Sequence, residues 1–206
     1  MTDALDEEAL NRRHAEKMAK KKAARQKILA TKTREKGLLI VHTGKGKGKS
    51  TAAFGLAFRA LGNGMKVAIV QFVKGKWQTG ERSALEKFGD QVTINTMGEG
   101  FTWETQDRAR DVAAAERAFA KAQELMADSS FGLVILDELN IALRYDYLDL
   151  ASVIVTLQAR RPGLHVVITG RNAKPELIAA ADLVTDMSLV KHHFAAGVKA
   201  QPGIEF

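Results

Sequence analysis

The sequence contains no cysteine and only three prolines, and none of its apolar runs approaches the roughly 20 residues that a membrane-spanning helix requires. The lack of cysteine excludes disulfide bonds, thiolate nucleophiles, iron–sulfur ligation and cysteine-type zinc sites. The N-terminus begins with acidic and basic residues instead of an apolar stretch, so we do not expect a secretory signal. Together these absences favour a protein of the reducing cytoplasm without a membrane span.

Positive charge is concentrated at one end of the chain. The 206 residues are 46% apolar and carry a net charge of +7, and residues 1–36 alone hold 11 Lys and Arg against 6 Asp and Glu. This segment is rich in Ala, Lys, Arg and Glu and lacks Gly and Pro, which favours a helix. Its apolar residues are too sparse for a core-facing stripe. We therefore expect a basic N-terminal extension over 1–36 that is helical, or partly disordered and ordered by a ligand; a solvated tail is the alternative.

Short apolar runs alternate with helical segments from Gly37 onward. Strands are predicted over 37–43, 66–73, 91–97, 131–138, 164–170 and 182–190. Helices are predicted over 51–62, closed by Gly62, and over 81–88, 107–127, 149–161 and 174–181. Buried strands that alternate with helices are typical of a three-layer α/β fold with a mostly parallel sheet. We expect one such domain over 37–206, with about six strands.

A glycine- and lysine-rich segment joins the first predicted strand to the first helix of this domain. A phosphate-binding loop needs glycines that let the backbone wrap an anion, a lysine that reaches the terminal phosphates and a hydroxyl for Mg²⁺. Gly48, Lys49 and Ser50 provide the required ending, although Thr43 occupies the position of the usual first glycine. The context predicts a P-loop NTPase fold of the RecA-like type. The predicted nucleotide-binding residues are Thr43, Gly44, Lys45, Gly46, Lys47, Gly48, Lys49, Ser50 and Thr51.

Two carboxylates, Asp137 and Glu138, follow the fourth predicted strand. Beside a phosphate loop, such residues hold Mg²⁺ directly or through water, and Ser50 would supply the hydroxyl ligand. In isolation, an Asp-Glu pair after a strand is also typical of a helix N-cap and a first-turn acid. Which of the two carboxylates contacts the cation stays open at this stage.

Further candidates lie at the carboxyl ends of the other strands. Arg171 follows the fifth strand and is predicted to clamp phosphate, or alternatively to lie in solvent. Lys74, Lys76 and Trp77 follow the second strand and are weaker candidates for the same edge. His42, within the first strand, is interpreted as a core histidine with satisfied hydrogen bonds. His192 and His193 are assigned no metal.

The third strand leads into a loop with two large aromatic residues, Phe101 and Trp103, between glycines and polar residues. Two rings separated by one residue at the ligand edge would form a platform for a flat ligand. The same spacing also fits rings that cover the core from above. The sequence does not decide between these two interpretations.

Six segments together resemble one family, the ATP:corrinoid adenosyltransferases of cobalamin biosynthesis. They are GLLIVHTGKGKGKSTAAFG, VQFVKGKWQTGE, GEGFTWETQ, LDEL, VVITGR and VKHHFAAGVKAQPGI, and they run in order from about Gly37 to Phe206. In that family the phosphate loop begins with Thr, as here, whereas Lys45 replaces the usual Asn and Ser50 the common Thr. The resemblance leaves the segment 1–36 uncovered.

The resemblance implies transfer of the 5′-deoxyadenosyl group of ATP to the Co(I) of a corrinoid, with release of triphosphate. It implies that Lys49 stabilises the leaving triphosphate, that Mg²⁺ or Mn²⁺ assists, and that ATP lies reversed relative to ordinary P-loop enzymes. It assigns Phe101 and Trp103 to the lower face of the corrin, where they would exclude an axial ligand. A flavin-dependent reductant, a homodimer and a cytoplasmic location without nucleic acid are further expectations.

Two other readings remain at this stage. A RecA-like ATPase would act on nucleic acid through the basic segment and produce ADP and phosphate. A non-catalytic corrinoid carrier or ATP-gated binding module would bind its ligands without turnover. The identity of the product distinguishes all three.

Overall fold

The computed structural model describes residues 2–73, 79–97 and 107–205. Two compact units divide the chain between Glu35 and Lys36. The first contains one helix, α1 (Thr2–Ala30), as its composition predicts. The apolar side chains of α1 that can be described, such as Leu10 and Ile28, are exposed, in agreement with the absence of a core-facing stripe.

The second unit is built on a six-stranded parallel sheet, which confirms the predicted fold class. Its strands are β1 (Leu39–Thr43), β2 (Lys66–Gln71), β3 (Val92–Thr96), β4 (Phe131–Asp137), β5 (His165–Thr169) and β6 (Leu183–Asp186). Their order across the sheet is β3-β2-β4-β5-β1-β6. Strand β5 therefore separates β1, which precedes the phosphate loop, from β4, which ends at the predicted carboxylates.

Helices cover both faces of the sheet. They are α2 (Lys49–Gly62), α3 (Gly80–Leu85), α4 (Arg108–Ala127), α5 (Leu139–Arg144), α6 (Leu150–Gln158) and α7 (Pro175–Ala180), with 3₁₀ turns over Glu86–Gln91 and His193–Ala196. Side chains of α2 and α3 pack on one face, and those of α4 to α7 on the other. Alternate residues of the buried strands supply both cores, because successive side chains of a strand point to opposite faces.

Three local predictions were wrong. Helix α2 ends at Gly62, but this glycine is the last helical residue and not the cap: Asn63 is the C-cap, and Gly64 adopts the left-handed conformation (φ 76°) that closes the turn. Helix α5 was not predicted, because its six residues follow a strand closely and are too few to show the helical spacing of apolar residues. Strand β6 ends at Asp186 instead of residue 190, because the backbone of Met187 pairs with the phosphate loop.

Within the described part of the chain, no helix is both long and apolar enough to cross a membrane. All six strands run in the same direction, so their carboxyl ends share one edge of the sheet. Ligands of open parallel sheets bind at this edge. The phosphate loop and both predicted carboxylates lie there.

Candidate functional site

The predicted phosphate loop connects β1 to the N-terminus of α2. Gly44 (φ 99°) and Gly48 (φ 103°) adopt conformations that side-chain-bearing residues rarely accept. Gly48 is also the N-cap of α2 and supplies no side chain that could cap the helix. The amide groups of the first turn are therefore available to an anion, and the helix dipole favours negative charge at this position.

The segment after β6 holds the loop in this shape. The Gly46 amide donates to the Met187 carbonyl oxygen (2.6 Å), and the Met187 amide donates to the Thr43 carbonyl oxygen (2.9 Å). A Cβ atom on Gly46 would lie 2.6 Å from the Ser188 carbonyl oxygen, and one on Gly44 would be closer still to its neighbours. Both glycines are therefore required by close packing.

Lys49 lies inside the loop and is only 7% exposed. Its Nζ donates to the carbonyl oxygens of Gly44 (3.0 Å) and Gly46 (2.5 Å). Burial lowers the pKa of Lys49, whereas the charge of Glu138 opposes this shift and that of Arg171 adds to it. The ammonium group is thus aimed at the space that the loop encloses, where phosphate oxygens would take the place of the carbonyls.

Asp137, the last residue of β4, is fully buried and accepts hydrogen bonds from three neighbouring elements. The hydroxyls of Ser50 and Thr169 both donate to its Oδ1 (2.8 Å each), and Gln71 Nε2 donates to its Oδ2 (3.2 Å). Because the Ser50 proton is committed to Asp137, the oxygen lone pairs of Ser50 are left for a cation. The structure thus brings Ser50 and Asp137 together as the sequence predicts.

Glu138 has a left-handed backbone (φ 65°) and is the N-cap of α5, but its side chain makes no capping hydrogen bond. Its amide donates to Thr169 Oγ1 (2.9 Å). A Cβ atom on Gly170 would lie 3.0 Å from Glu138 Oε2, so a glycine is needed where this carboxylate passes β5. The N-cap interpretation is therefore right for the backbone and wrong for the side chain.

The donor set suits Mg²⁺ bound together with a nucleotide. Within the described ranges, no group of three or more His, Cys, Asp or Glu side chains could hold a metal ion. Mg²⁺ usually keeps several waters and binds one or two carboxylates together with substrate phosphates. The Ser50 hydroxyl and the carboxylates of Asp137 and Glu138, beside an anion-binding loop, match that chemistry.

A row of polar residues crosses the sheet beneath the N-terminus of α2. Consecutive strands place them side by side, and from β3 to β6 they are Thr96, Gln71, Asp137, Thr169, His42 and Thr185. The contacts of Gln71, Thr96 and Thr169 were not predicted from the sequence, although each is a polar residue at the end of an apolar strand. His42 is buried as predicted, but neither ring nitrogen has a hydrogen-bond partner among the described residues, so the interpretation as a satisfied histidine was wrong.

The buried His42 predicts a loss of stability in acid. Burial lowers its pKa below 6.5, so the unfolded chain takes up this proton at a higher pH than the folded one. Its contribution to stability is complete above pH 6.5 and falls as the pH drops below that value. We expect the free energy of unfolding of His42→Phe, measured with urea, to decrease less from pH 7 to about pH 5 than that of the unaltered protein. The exposed His14 provides the matched control, His14→Phe; equal slopes for the two variants would contradict the prediction.

Of the remaining predicted loop residues, three lie at the surface and Thr43 is buried. Lys45, Lys47 and Thr51 are exposed, and the Thr43 hydroxyl accepts a hydrogen bond from the Ala173 amide (3.1 Å). Lys47 pairs with the carboxylate of Glu205, which also lies 3.5 Å from His193 Nε2.

Arg171 is exposed, and its positive charge adds to the effect of burial, which lowers the pKa of Lys47 and of Lys49. Its predicted phosphate contact stays a prediction.

Phe101 and Trp103, together with Lys74, Lys76 and Trp77, lie outside the described residues. The structure describes only the strands that precede the segments in which these residues lie. Residues 74–78 follow β2, and residues 98–106 follow β3 at the edge of the sheet. The roles of all five residues therefore stay predictions.

A parallel α/β sheet with this loop, its lysine and its hydroxyl–carboxylate pair defines a P-loop nucleotide-binding protein. The profile of the family described as ATP:corrinoid adenosyltransferase BtuR/CobO/CobP matches residues 35–206. The chain belongs to this family, and the prediction of a transferase is confirmed.

Relatives named corrinoid adenosyltransferase are similar over nearly their whole length. The protein of Sinorhizobium sp is 64% identical over 94% of this chain and 92% of its own length. That of Pseudomonas aeruginosa is 56% identical (95% and 97% covered), and that of Escherichia coli K12 is 49% identical (84% and 87% covered).

Proposed function

We propose that this protein transfers the 5′-deoxyadenosyl group of ATP to the Co(I) of a corrinoid and releases triphosphate. The electron pair of Co(I) attacks C5′ of the ribose, a Co–C bond forms, and the C5′–O bond breaks. The bonding electrons leave on the triphosphate oxygen, and cobalt becomes Co(III). The observation that carries the proposal is the phosphate loop with Lys49 and Ser50–Asp137, found in a member of the ATP:corrinoid adenosyltransferase family.

The residues of the loop stabilise the leaving group. Negative charge develops on the triphosphate, and the α2 amides and the Lys49 ammonium are fixed in advance where that charge would lie. Ser50 and a carboxylate of Asp137 or Glu138 would hold Mg²⁺ or Mn²⁺, which supplies further charge neutralisation when bound. No proton has to be moved in the transfer itself, so orientation and electrostatics are sufficient.

The order of the strands supports a reversed direction for ATP. The phosphate loop follows β1, whereas the segment with Phe101 and Trp103 follows β3, four places away in the sheet. At a strand spacing of about 4.8 Å the ends of β1 and β3 are roughly 19 Å apart, which leaves room for ATP to extend from the loop toward a corrin bound near the end of β3. A cavity of about 450 Å³, lined by Gly44, Lys45 and Leu189 among others, lies on the opposite side of the loop, beside β6. In this proposal the terminal phosphate faces that cavity.

Phe101 and Trp103 are proposed to exclude the lower axial ligand of cobalt. Four-coordinate Co(II) is easier to reduce to Co(I), and apolar rings against the corrin face would favour it. We expect Phe101→Ala combined with Trp103→Ala to impair reduction of enzyme-bound Co(II), followed by its visible spectrum, and to leave ATP affinity unchanged. Full activity of the double variant with a Co(II) substrate and a flavin reductant would refute this role.

The basic extension, residues 1–36, is proposed to cover the bound corrinoid. Helix α1 exposes its described apolar side chains, including Leu10 and Leu29, and these could pack on a flat apolar ligand. We expect deletion of residues 1–36 to weaken corrinoid binding, measured by titration of the visible spectrum, without a change in ATP affinity. An unaltered corrinoid affinity would show that the extension has another role.

One reaction tests the proposed function as a whole. Purified protein, Mg²⁺, ATP and chemically reduced corrinoid should yield a light-sensitive Co–C product and one triphosphate per corrinoid. Formation of ADP and phosphate without alkylation of cobalt would favour an ATPase, and binding without turnover would favour a carrier. We further propose that the enzyme is a cytoplasmic homodimer that receives electrons from a reduced flavin.

A further inference from the structure

A chain of hydrogen bonds runs along the polar row from the edge of the sheet to Asp137. Arg82 Nη1 donates to Thr96 Oγ1 (2.9 Å), and the Thr96 hydroxyl donates to Gln71 Oε1 (2.9 Å). Gln71 Nε2 then donates to Asp137 Oδ2 (3.2 Å). The chain thus joins α3, β3, β2 and β4, and every one of its bonds is made by a side chain.

The two ends of this chain fix its direction. A guanidinium group has donors alone, and an ionised carboxylate has acceptors alone. Thr96 must therefore accept from Arg82 and donate to Gln71, and the Gln71 amide must turn its NH₂ group toward Asp137. A flipped amide would place Oε1 against the Asp137 carboxylate and lose that bond. Because each bond polarises the next, a cation at one end and an anion at the other strengthen the whole chain.

Gln71 is held between two paired strands and has little access to water. Gln71 is 7% exposed, and its backbone is paired with Thr96 on one side and Asp137 on the other. Arg82 is held in turn by an ion pair with Glu86 (2.8 Å), one helical turn further along the chain. Both the donor that reaches Asp137 and the group that orients it are therefore fixed before any ligand binds.

We infer that Gln71 is a positioning residue for the cation that accompanies ATP, held in its working orientation by Thr96 and Arg82. Gln71 fixes Oδ2 of Asp137, so Oδ1 stays turned toward the Ser50 hydroxyl, and the lone pairs of Ser50 stay turned toward the loop. The inference rests on the proposed function, because the task of Asp137 is defined there. The site takes a small divalent cation bound to a polyphosphate.

The test measures Mn²⁺ binding to the full chain in the presence of ATP and without corrinoid, by the electron paramagnetic resonance signal of free Mn²⁺. Gln71→Met keeps the volume of the side chain and removes both hydrogen bonds. We expect the apparent Kd for Mn²⁺ to rise about tenfold, the usual effect of removing a partner of a metal-binding group. Thr96→Val, which removes the hydroxyl, should also raise the apparent Kd for Mn²⁺. Thr96→Ser keeps the hydroxyl and should bind Mn²⁺ like the unaltered protein.

Matched controls come from a similar pair at the surface, where Gln123 Nε2 donates to Thr156 Oγ1 (3.5 Å). Gln123→Met and Thr156→Val should bind Mn²⁺ like the unaltered protein. Unchanged Mn²⁺ affinity in Gln71→Met and Thr96→Val would overturn the inference, as would the absence of Mn²⁺ binding by the unaltered protein. If Gln71→Met does not fold, Thr96→Val and Thr96→Ser decide alone.

The Mn²⁺ titration, combined with the adenosyl-transfer assay on the same proteins, separates this inference from the proposed function. Weakened Mn²⁺ binding in a protein that fails to alkylate cobalt would support the role of Gln71 and reject the adenosyl transfer. Adenosyl transfer by the unaltered protein, with unchanged Mn²⁺ affinity in the variants, would support the proposed function and reject the role of Gln71.

Discussion

Replacement of Lys49 by methionine is expected to slow adenosyl transfer by about a thousandfold, because a preorganised donor is removed where charge develops in the transition state. The methionine keeps most of the aliphatic volume, and the two bonds that it removes are to backbone carbonyls of the phosphate loop. The loss should therefore appear in the rate and much less in the fold. The measurement is the single-turnover formation of the Co–C product at saturating ATP and Co(I) corrinoid.

Lys121→Met is the matched control for this variant. Lys121 lies on α4 at the surface and pairs with Glu124 (2.7 Å), far along the chain from the loop. Its removal should leave the rate unchanged. If Lys49→Met retained the rate of the control, the leaving triphosphate would have to be stabilised by other groups, and the central role of Lys49 would be rejected.

Asp137→Asn should lose most of its activity and part of its stability. Three donors face the two carboxylate oxygens. An amide NH₂ at the Oδ2 position would face the NH₂ of Gln71, and one at the Oδ1 position would deprive the Ser50 and Thr169 hydroxyl protons of their acceptor. An unsatisfied buried polar group costs about 1–3 kcal/mol. We expect this decrease in the free energy of unfolding, measured with urea, together with a rate that no longer responds to Mg²⁺ in the same concentration range.

Asp146→Asn is the control for this change of charge. Asp146 is exposed, pairs with Lys174 (3.2 Å) and has the left-handed backbone that asparagine also accepts. It should match the unaltered protein in both measurements. An Asp137→Asn protein with normal Mg²⁺ dependence would exclude Asp137 from the cation site and leave Glu138 as the remaining carboxylate.

The fold could be predicted because the strands are continuous apolar runs and the helices between them have a clear period. The phosphate loop and Asp137–Glu138 could be predicted for another reason: their chemistry requires these residue types directly after a strand. The prediction failed where an element was short or where a distant segment decided the outcome. Helix α5 has six residues, and β6 gives way to a loop because Met187 bonds to Thr43 and Gly46.

The partners of Asp137 could not be predicted, because they depend on the register between strands. In the sequence, Gln71 and Thr96 look like ordinary ends of strands. They form hydrogen bonds that lead to Asp137 because β2 lies between β3 and β4 in the sheet. A usable signal was nevertheless present. Apolar strands such as β2, β3, β4 and β5 each end in a polar residue, and this repetition indicates a shared polar site at the carboxyl edge of the sheet.

The bonds between the phosphate loop and Met187 have a consequence for synthesis of the chain on the ribosome. The loop is translated well before Met187, the residue whose carbonyl and amide hold Gly46 and Thr43. A nascent chain that stops before β6 has the glycines and Lys49 but lacks the brace that shapes them. We therefore expect nucleotide capture to follow the docking of β6, so that ATP affinity would report whether this strand is in place.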